Sequence, residues 1–151
     1  MKTPKFWNQK NLISFLLLPF SEIYKITKYF LNFFKKEQSF SNPIICIGNI
    51  TAGGAGKTPT AIAIGKILQK ENIDFCYLTS GYGRKSKKTI LMQCSKKYEL
   101  KDVGDEAMLL SEISDCYVTN DRISTIKKIE KENPKKTIIM DDGFQDHQIK
   151  K

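Results

Sequence analysis

Apolar and polar positions change period repeatedly along this chain, and the changes predict its elements. Ile44-Ile45-Cys46-Ile47 is an unbroken apolar run after Pro43, three of its residues β-branched, and reads as a buried strand. Thr60 to Gln69 carries Ile62, Ile64, Ile67 and Leu68 among polar residues and reads as a helix. Phe75-Cys76-Tyr77-Leu78-Thr79 is a second strand, and Thr89 to Cys94 a third, placed at an edge by the lysines on both sides. Asp105 to Ile113 predicts a short helix and Cys116-Tyr117-Val118 a strand. Asp121 caps a helix running to about Glu130, and Thr137-Ile138-Ile139-Met140 is the last strand. Strands alternating with helices at this spacing predict an α/β fold, a parallel sheet with helices on both faces.

Residues 1–40 follow a different pattern. Asn11 to Phe20 is nearly all apolar, but is about half the ~20 residues that span a bilayer, and Pro19 is expected to kink a helix there. Beyond it Ile23, Ile26, Phe30, Phe33 and Phe34 recur at helical spacing, with Lys25, Lys28, Lys35 and Lys36 between them. An apolar segment leading into a basic amphipathic helix predicts attachment to a membrane surface. A signal peptide is the rival reading, but no small-x-small cleavage site follows the apolar core. The division expected is a membrane-associating helix and linker over 1–40, with Glu37 to Asn42 as the linker, and an NTPase-like domain over 41–151.

Between the first strand and the first helix lies Thr51-Ala52-Gly53-Gly54-Ala55-Gly56-Lys57-Thr58, followed by Pro59. Strand, glycine-rich turn, Gly-Lys-Thr and helix form the context of a phosphate-binding P-loop. Glycines let main-chain N–H groups converge on phosphate oxygens, Lys57 supplies a positive charge, and the Thr58 hydroxyl suits Mg²⁺. Thr51 stands where the strict pattern has its first glycine, so the loop is a variant. Nevertheless the stretch predicts a site for a nucleoside triphosphate.

Ligands of such sheets bind beyond the carboxyl ends of the strands. Asp141 and Asp142 directly follow the last strand, where P-loop enzymes keep the acid that serves Mg²⁺; a plain turn is the alternative. Asp105 opens a predicted helix, so it is either a first-turn acid or a general base for an attacking hydroxyl. The Gly81-Tyr82-Gly83-Arg84 loop offers Arg84 to a phosphate and Tyr82 to a ring or acyl chain, or is an ordinary turn.

Composition narrows the class. The 151 residues, 40% hydrophobic and 27% charged, suit a globular domain with a core rather than a disordered chain. The net charge is +9, but only Arg84 and Arg122 of the 25 basic residues are arginines. Nucleic-acid surfaces favour arginine for bidentate contacts, so no nucleic-acid partner is expected; an anionic membrane or phosphorylated substrates fit better. Cys46, Cys76, Cys94 and Cys116 show no Cys-x-x-Cys spacing, which points to a reducing, cytosolic compartment. With His147 the sole histidine, no zinc constellation is formed.

Taken together, these motifs resemble the tetraacyldisaccharide 4'-kinases of lipid A synthesis. The similar features are Leu16-Leu17-Leu18-Pro19-Phe20-Ser21, Gly48-Asn49-Ile50-Thr51 leading into the glycine loop, Gly81-Tyr82-Gly83-Arg84, Val103-Gly104-Asp105-Glu106 and Asp141-Asp142-Gly143-Phe144-Gln145, in the family's order. The family's loop also lacks the first glycine. The resemblance implies a kinase on the cytoplasmic face of the bacterial inner membrane. It would transfer the ATP γ-phosphate to the 4'-hydroxyl of an acylated glucosamine disaccharide 1-phosphate, giving lipid IVA. It implies ATP and Mg²⁺ as cofactors, Asp105 as catalytic base and Asp141 and Asp142 as metal acids. Ser80 replaces the family's usual arginine, and Asp146 stands where histidine is common. Family members are about twice this long, which implies an N-terminal fragment, inactive alone, with a C-terminal half encoded separately if it exists. The alternatives are a membrane-associated regulatory ATPase with a variant P-loop, and a non-catalytic nucleotide-binding remnant.

Overall fold

The structure, a computed structural model, describes residues 12–33, 37–48, 56–85, 88–94, 96–143 and 148–150. The chain divides into two units at Lys36 and Glu37. In the first, a single helix α1 (Leu12–Phe33) is continuous through Pro19, where the sequence predicts a change from an apolar segment to an amphipathic one. Phe15, Leu16, Phe20, Ile23, Ile26 and Phe30 are exposed, and at 3.6 residues per turn they fall within one arc of about 140°. The remaining arc holds Ser21 and a Glu22–Lys25 ion pair at 2.7 Å. Among the described residues no helix is long and apolar enough to cross a membrane.

The second unit contains β1 (Ile44–Cys46), α2 (Lys57–Lys70), β2 (Phe75–Thr79), β3 (Ile90–Met92), α3 (Leu100–Val103), α4 (Asp105–Ser111), β4 (Cys116–Val118), α5 (Arg122–Glu132) and β5 (Thr137–Met140). The strands form one sheet in the order β1-β5-β2-β4-β3. The pairs β1–β5, β5–β2 and β2–β4 are parallel, as predicted. The edge strand β3 departs from that prediction by running antiparallel to β4, with Leu91 opposite Tyr117. A short return from β2 without a crossover helix allows only that direction.

Side chains alternate across the sheet and so build two cores. Phe75, Tyr77, Cys116, Val118 and Ile139 pack with Ala61 of α2 and with Ala107 and Leu110 of α4. Cys76, Leu78, Tyr117, Ile138 and Met140 pack with Ile126 and Ile129 of α5 on the other face. Both faces of β2, β4 and β5 are therefore buried, which is why these strands read as continuous apolar runs. The stretch read as a linker is partly built into this unit. Phe40 packs on the second core, Gln38 bridges to Ile149, and the buried Asn42 donates to the carbonyls of Asn133 and Lys136.

Helix α2 sits very close to the sheet. A Cβ on Gly65 would lie 1.8 Å from the Tyr77 hydroxyl, which itself donates to the Ala61 carbonyl. That close approach sets where the beginning of α2 meets the strand ends.

Candidate active site

Strand order brings the sequence motifs together. Because β5 lies directly beside β1, the residues after each strand emerge at the same end of the sheet. There the Lys57 ammonium pairs with Asp142 Oδ1 at 2.8 Å, and the Thr58 hydroxyl donates to Asp141 Oδ2 at 3.2 Å. Four of the predicted site residues are thus in direct contact across more than eighty positions of sequence. Thr51, Ala52, Gly53, Gly54 and Ala55 lie outside the described residues.

Gly56 precedes α2 in the left-handed conformation, φ 72°, which glycine adopts without a Cβ penalty. Gly56 has no side chain with which to cap this helix start. The first N–H groups of a helix and the positive end of its dipole suit an anion, and Pro59 in the first turn has no N–H to leave unsatisfied.

The two adjacent aspartates differ in burial and in partner. Asp141 is 1% exposed, and its Oδ1 has no hydrogen-bond partner among the described residues. Burial raises the pKa of this carboxyl, opposed by the Thr58 hydrogen bond and the nearby Lys57 charge. A buried carboxylate oxygen with nothing to accept, next to a threonine hydroxyl, fits a hard divalent cation, which takes oxygen ligands. Asp142 is exposed and turned to Lys57, whose pKa its hydrogen bond raises against a partial desolvation penalty. Asp142 thus acts as counterion to the loop lysine in this structure, where the sequence reading makes it a second metal acid.

Asp105 is the first residue of α4 and is exposed. It follows Gly104, φ 88°, whose Cβ position lies 2.9 Å from the Tyr82 carbonyl, so the two loops are packed against each other. Tyr82 is 87% exposed on that loop. Arg84 is not presented to a ligand in the way its motif suggests. Its guanidinium donates to the carbonyls of Lys88 and Val118 and to Asn120 Oδ1, and desolvation lowers its pKa. A half-buried guanidinium needs such acceptors, so Arg84 braces the loop that carries Tyr82.

Sequence reasoning passed over two residues. Glu106 is raised in pKa by partial desolvation and then by the negative charge of Asp141, with Lys57 acting the other way, so it faces the same charge cluster. Its place beside Asp105 was the available signal. Arg122 at the start of α5 reaches the main chain of Asp141 and Asp142. Nothing in its local pattern points there.

Comparison with known proteins identifies the family. Residues 13–151 match the family model for Tetraacyldisaccharide-1-P 4'-kinase, LpxK. The chain is 40% identical over 153 residues to the tetraacyldisaccharide 4'-kinase of Aliarcobacter butzleri, across 98% of this chain and 46% of that protein. With the Rickettsia typhi enzyme of the same name it shares 32% identity over 148 residues, across 98% of this chain and 45% of the relative. A crystal structure of LpxK from Aquifex aeolicus, described as an "apo" form in complex with ATP, superposes with a TM-score of 0.76 at 28% identity. That match covers 93% of this chain and 47% of the other. The chain therefore spans about half the length of the curated relatives it matches. With the family model matched from residue 13 to the last residue, and the same fold in a solved member, this chain belongs to the tetraacyldisaccharide 4'-kinase family.

Proposed function

We propose that this chain carries the nucleotide site and acceptor-activating acid of a kinase that phosphorylates the 4'-hydroxyl of a tetraacyldisaccharide 1-phosphate with ATP, giving lipid IVA. The observation that carries the reading is the Thr58–Asp141 contact beside the Lys57–Asp142 pair, at the start of α2. The N–H groups at that helix start and the Lys57 ammonium hold the β- and γ-phosphates. For Lys57 to do so it exchanges Asp142 for phosphate oxygens, a like-for-like substitution of anionic partners. Thr58 and Asp141 hold Mg²⁺, which when bound neutralises charge developing on the transferred phosphoryl group. Asp105 takes the proton of the attacking hydroxyl as the O–P bond forms, and ADP leaves with the bridging oxygen. Tyr82 contacts the acceptor, from a loop that Arg84 keeps in place.

The membrane surface completes the proposal. The acceptor is a lipid, and α1 exposes a wide apolar face suited to lying in the interface on the cytoplasmic side. The test of the nucleotide site is ATP binding by calorimetry, with folding followed by circular dichroism. Lys57→Ala is expected to lose binding, at least tenfold in affinity for a charge-assisted phosphate contact, while the fold survives. Unchanged affinity would remove the assignment.

A further inference from the structure

The turn formed by Asp141 and Asp142 is held more firmly than its length requires. Asp142 has φ 55°, in the left-handed region that costs a residue with a Cβ of order 1 kcal/mol and persists only where surroundings enforce it. Two strand ends supply part of that enforcement. Asp141 N–H donates to the Leu78 carbonyl at 3.0 Å, and Gly143 N–H to the Ile47 carbonyl at 3.0 Å. These bonds occupy the N–H groups on either side of Asp142 and leave the two aspartate carbonyls to be satisfied from elsewhere.

Arg122 supplies the rest. It is the first residue of α5, which packs on the face of the sheet opposite α2 and α4. Its Nη2 donates to both carbonyls, at 3.0 Å to Asp142 and 3.4 Å to Asp141. One guanidinium nitrogen with two protons can serve two adjacent carbonyls in a fixed geometry, which a freely rotating ammonium does poorly. These two bonds are to peptide oxygens, so they hold the main chain that carries both side chains. Release of the turn would let Asp142 relax out of φ 55° and swing both carboxylates away from Lys57 and Thr58.

We infer that Arg122 is a positioning residue of the phosphoryl-transfer site, clamping the main chain of the Asp141–Asp142 turn so that Asp141 meets the metal beside Thr58 and Asp142 meets Lys57. The inference rests on the reading of this cluster as a Mg²⁺–nucleotide site. Its effect falls on metal dependence, because an outer partner that orients a ligand typically governs affinity by roughly 10–100-fold.

The experiment measures ATP binding to the 151-residue chain by calorimetry, as a function of Mg²⁺ and in its absence, alongside thermal melts. Arg122→Ala and Arg122→Gly should raise the Mg²⁺ concentration needed for half-maximal binding by roughly tenfold or more, and change metal-free ATP affinity by less than about twofold. Arg122→Lys should recover only part of the loss. Ethylguanidinium added to Arg122→Gly should restore the Mg²⁺ dependence, a rescue that a merely structural arginine would not show. Wild-type Mg²⁺ dependence in folded Arg122→Lys and Arg122→Ala would overturn the inference, as would failure of ethylguanidinium to restore it in Arg122→Gly. Failure of the unsubstituted chain to bind ATP with or without Mg²⁺ would instead remove the site reading, and this inference with it.

Discussion

Asp141 shows the cost of burying a carboxylate at a proposed metal site. A carboxylate buried to 1% exposure with one oxygen unpartnered is held at a loss in the free protein, and the loss appears as a raised pKa. The native state therefore binds this proton more tightly than the unfolded chain does. Stability through this group falls as pH rises above the ordinary aspartate range, and the loss is complete once the raised pKa is passed. Asp141→Asn removes the charge and can still accept from Thr58. Its nucleotide-free form should melt higher than wild type at about pH 7, with the gap closing toward about pH 4, while Mg²⁺-dependent ATP binding is lost. Thermal melts across that range check the sign; a variant that melts at or below wild type at about pH 7 contradicts it. Arg84 was legible as a motif residue but not as a brace, because its acceptors Val118 and Asn120 lie more than thirty positions away.

At the scale of the element, α2 is the part on which the site depends. Its first residues carry Lys57 and Thr58, and its closeness to β2 at Gly65 fixes their height over the sheet end. An ordinary glycine-to-alanine change inside a helix stabilises by up to ~1 kcal/mol. Here the added methyl would meet the Tyr77 hydroxyl at 1.8 Å and the Phe75 ring at 3.1 Å, so the helix must shift or Tyr77 must give up its bond to Ala61. Gly65→Ala should therefore destabilise, by ~1–3 kcal/mol as for other overpacked cores. Urea denaturation reads the sign directly, and a stabilised variant would show that the approach is looser than described. Element types and most bounds were readable from periodicity. The start of α2 at Lys57 rather than Thr60 was not, since glycine-rich sequence before it obscures where helical geometry begins.

For the whole molecule, every residue proposed for nucleotide chemistry lies in the unit 37–151, and α1 is the candidate for attachment. Each large apolar side chain is worth ~1.5–3 kcal/mol when fully buried, against about 1 kcal/mol for a lysine near anionic lipid. Phe15, Leu16, Phe20, Ile23, Ile26 and Phe30 together outweigh the lysines of residues 1–36. Deleting 1–36 should release the protein from anionic vesicles in sedimentation, whereas high salt should release the intact chain only in part. Complete release by salt alone would assign the attachment to the lysines instead.

The sequence by itself determined the class of fold, the order of elements and the motifs proposed to carry phosphate and metal chemistry. Each of these is local: a run of apolar residues buried on both faces, a glycine turn before Lys57, two aspartates after a strand. Only the tertiary structure decided what those motifs do to one another. Placing β5 beside β1 joins Thr58 to Asp141 and Lys57 to Asp142, while the return into β3 reverses the edge strand. The same packing draws Glu106 into the charge cluster, turns Arg84 inward and brings Arg122 onto the aspartate turn from the far face. Strand order and side-chain partners come from burying both faces of the sheet at once, a global condition that no local period records.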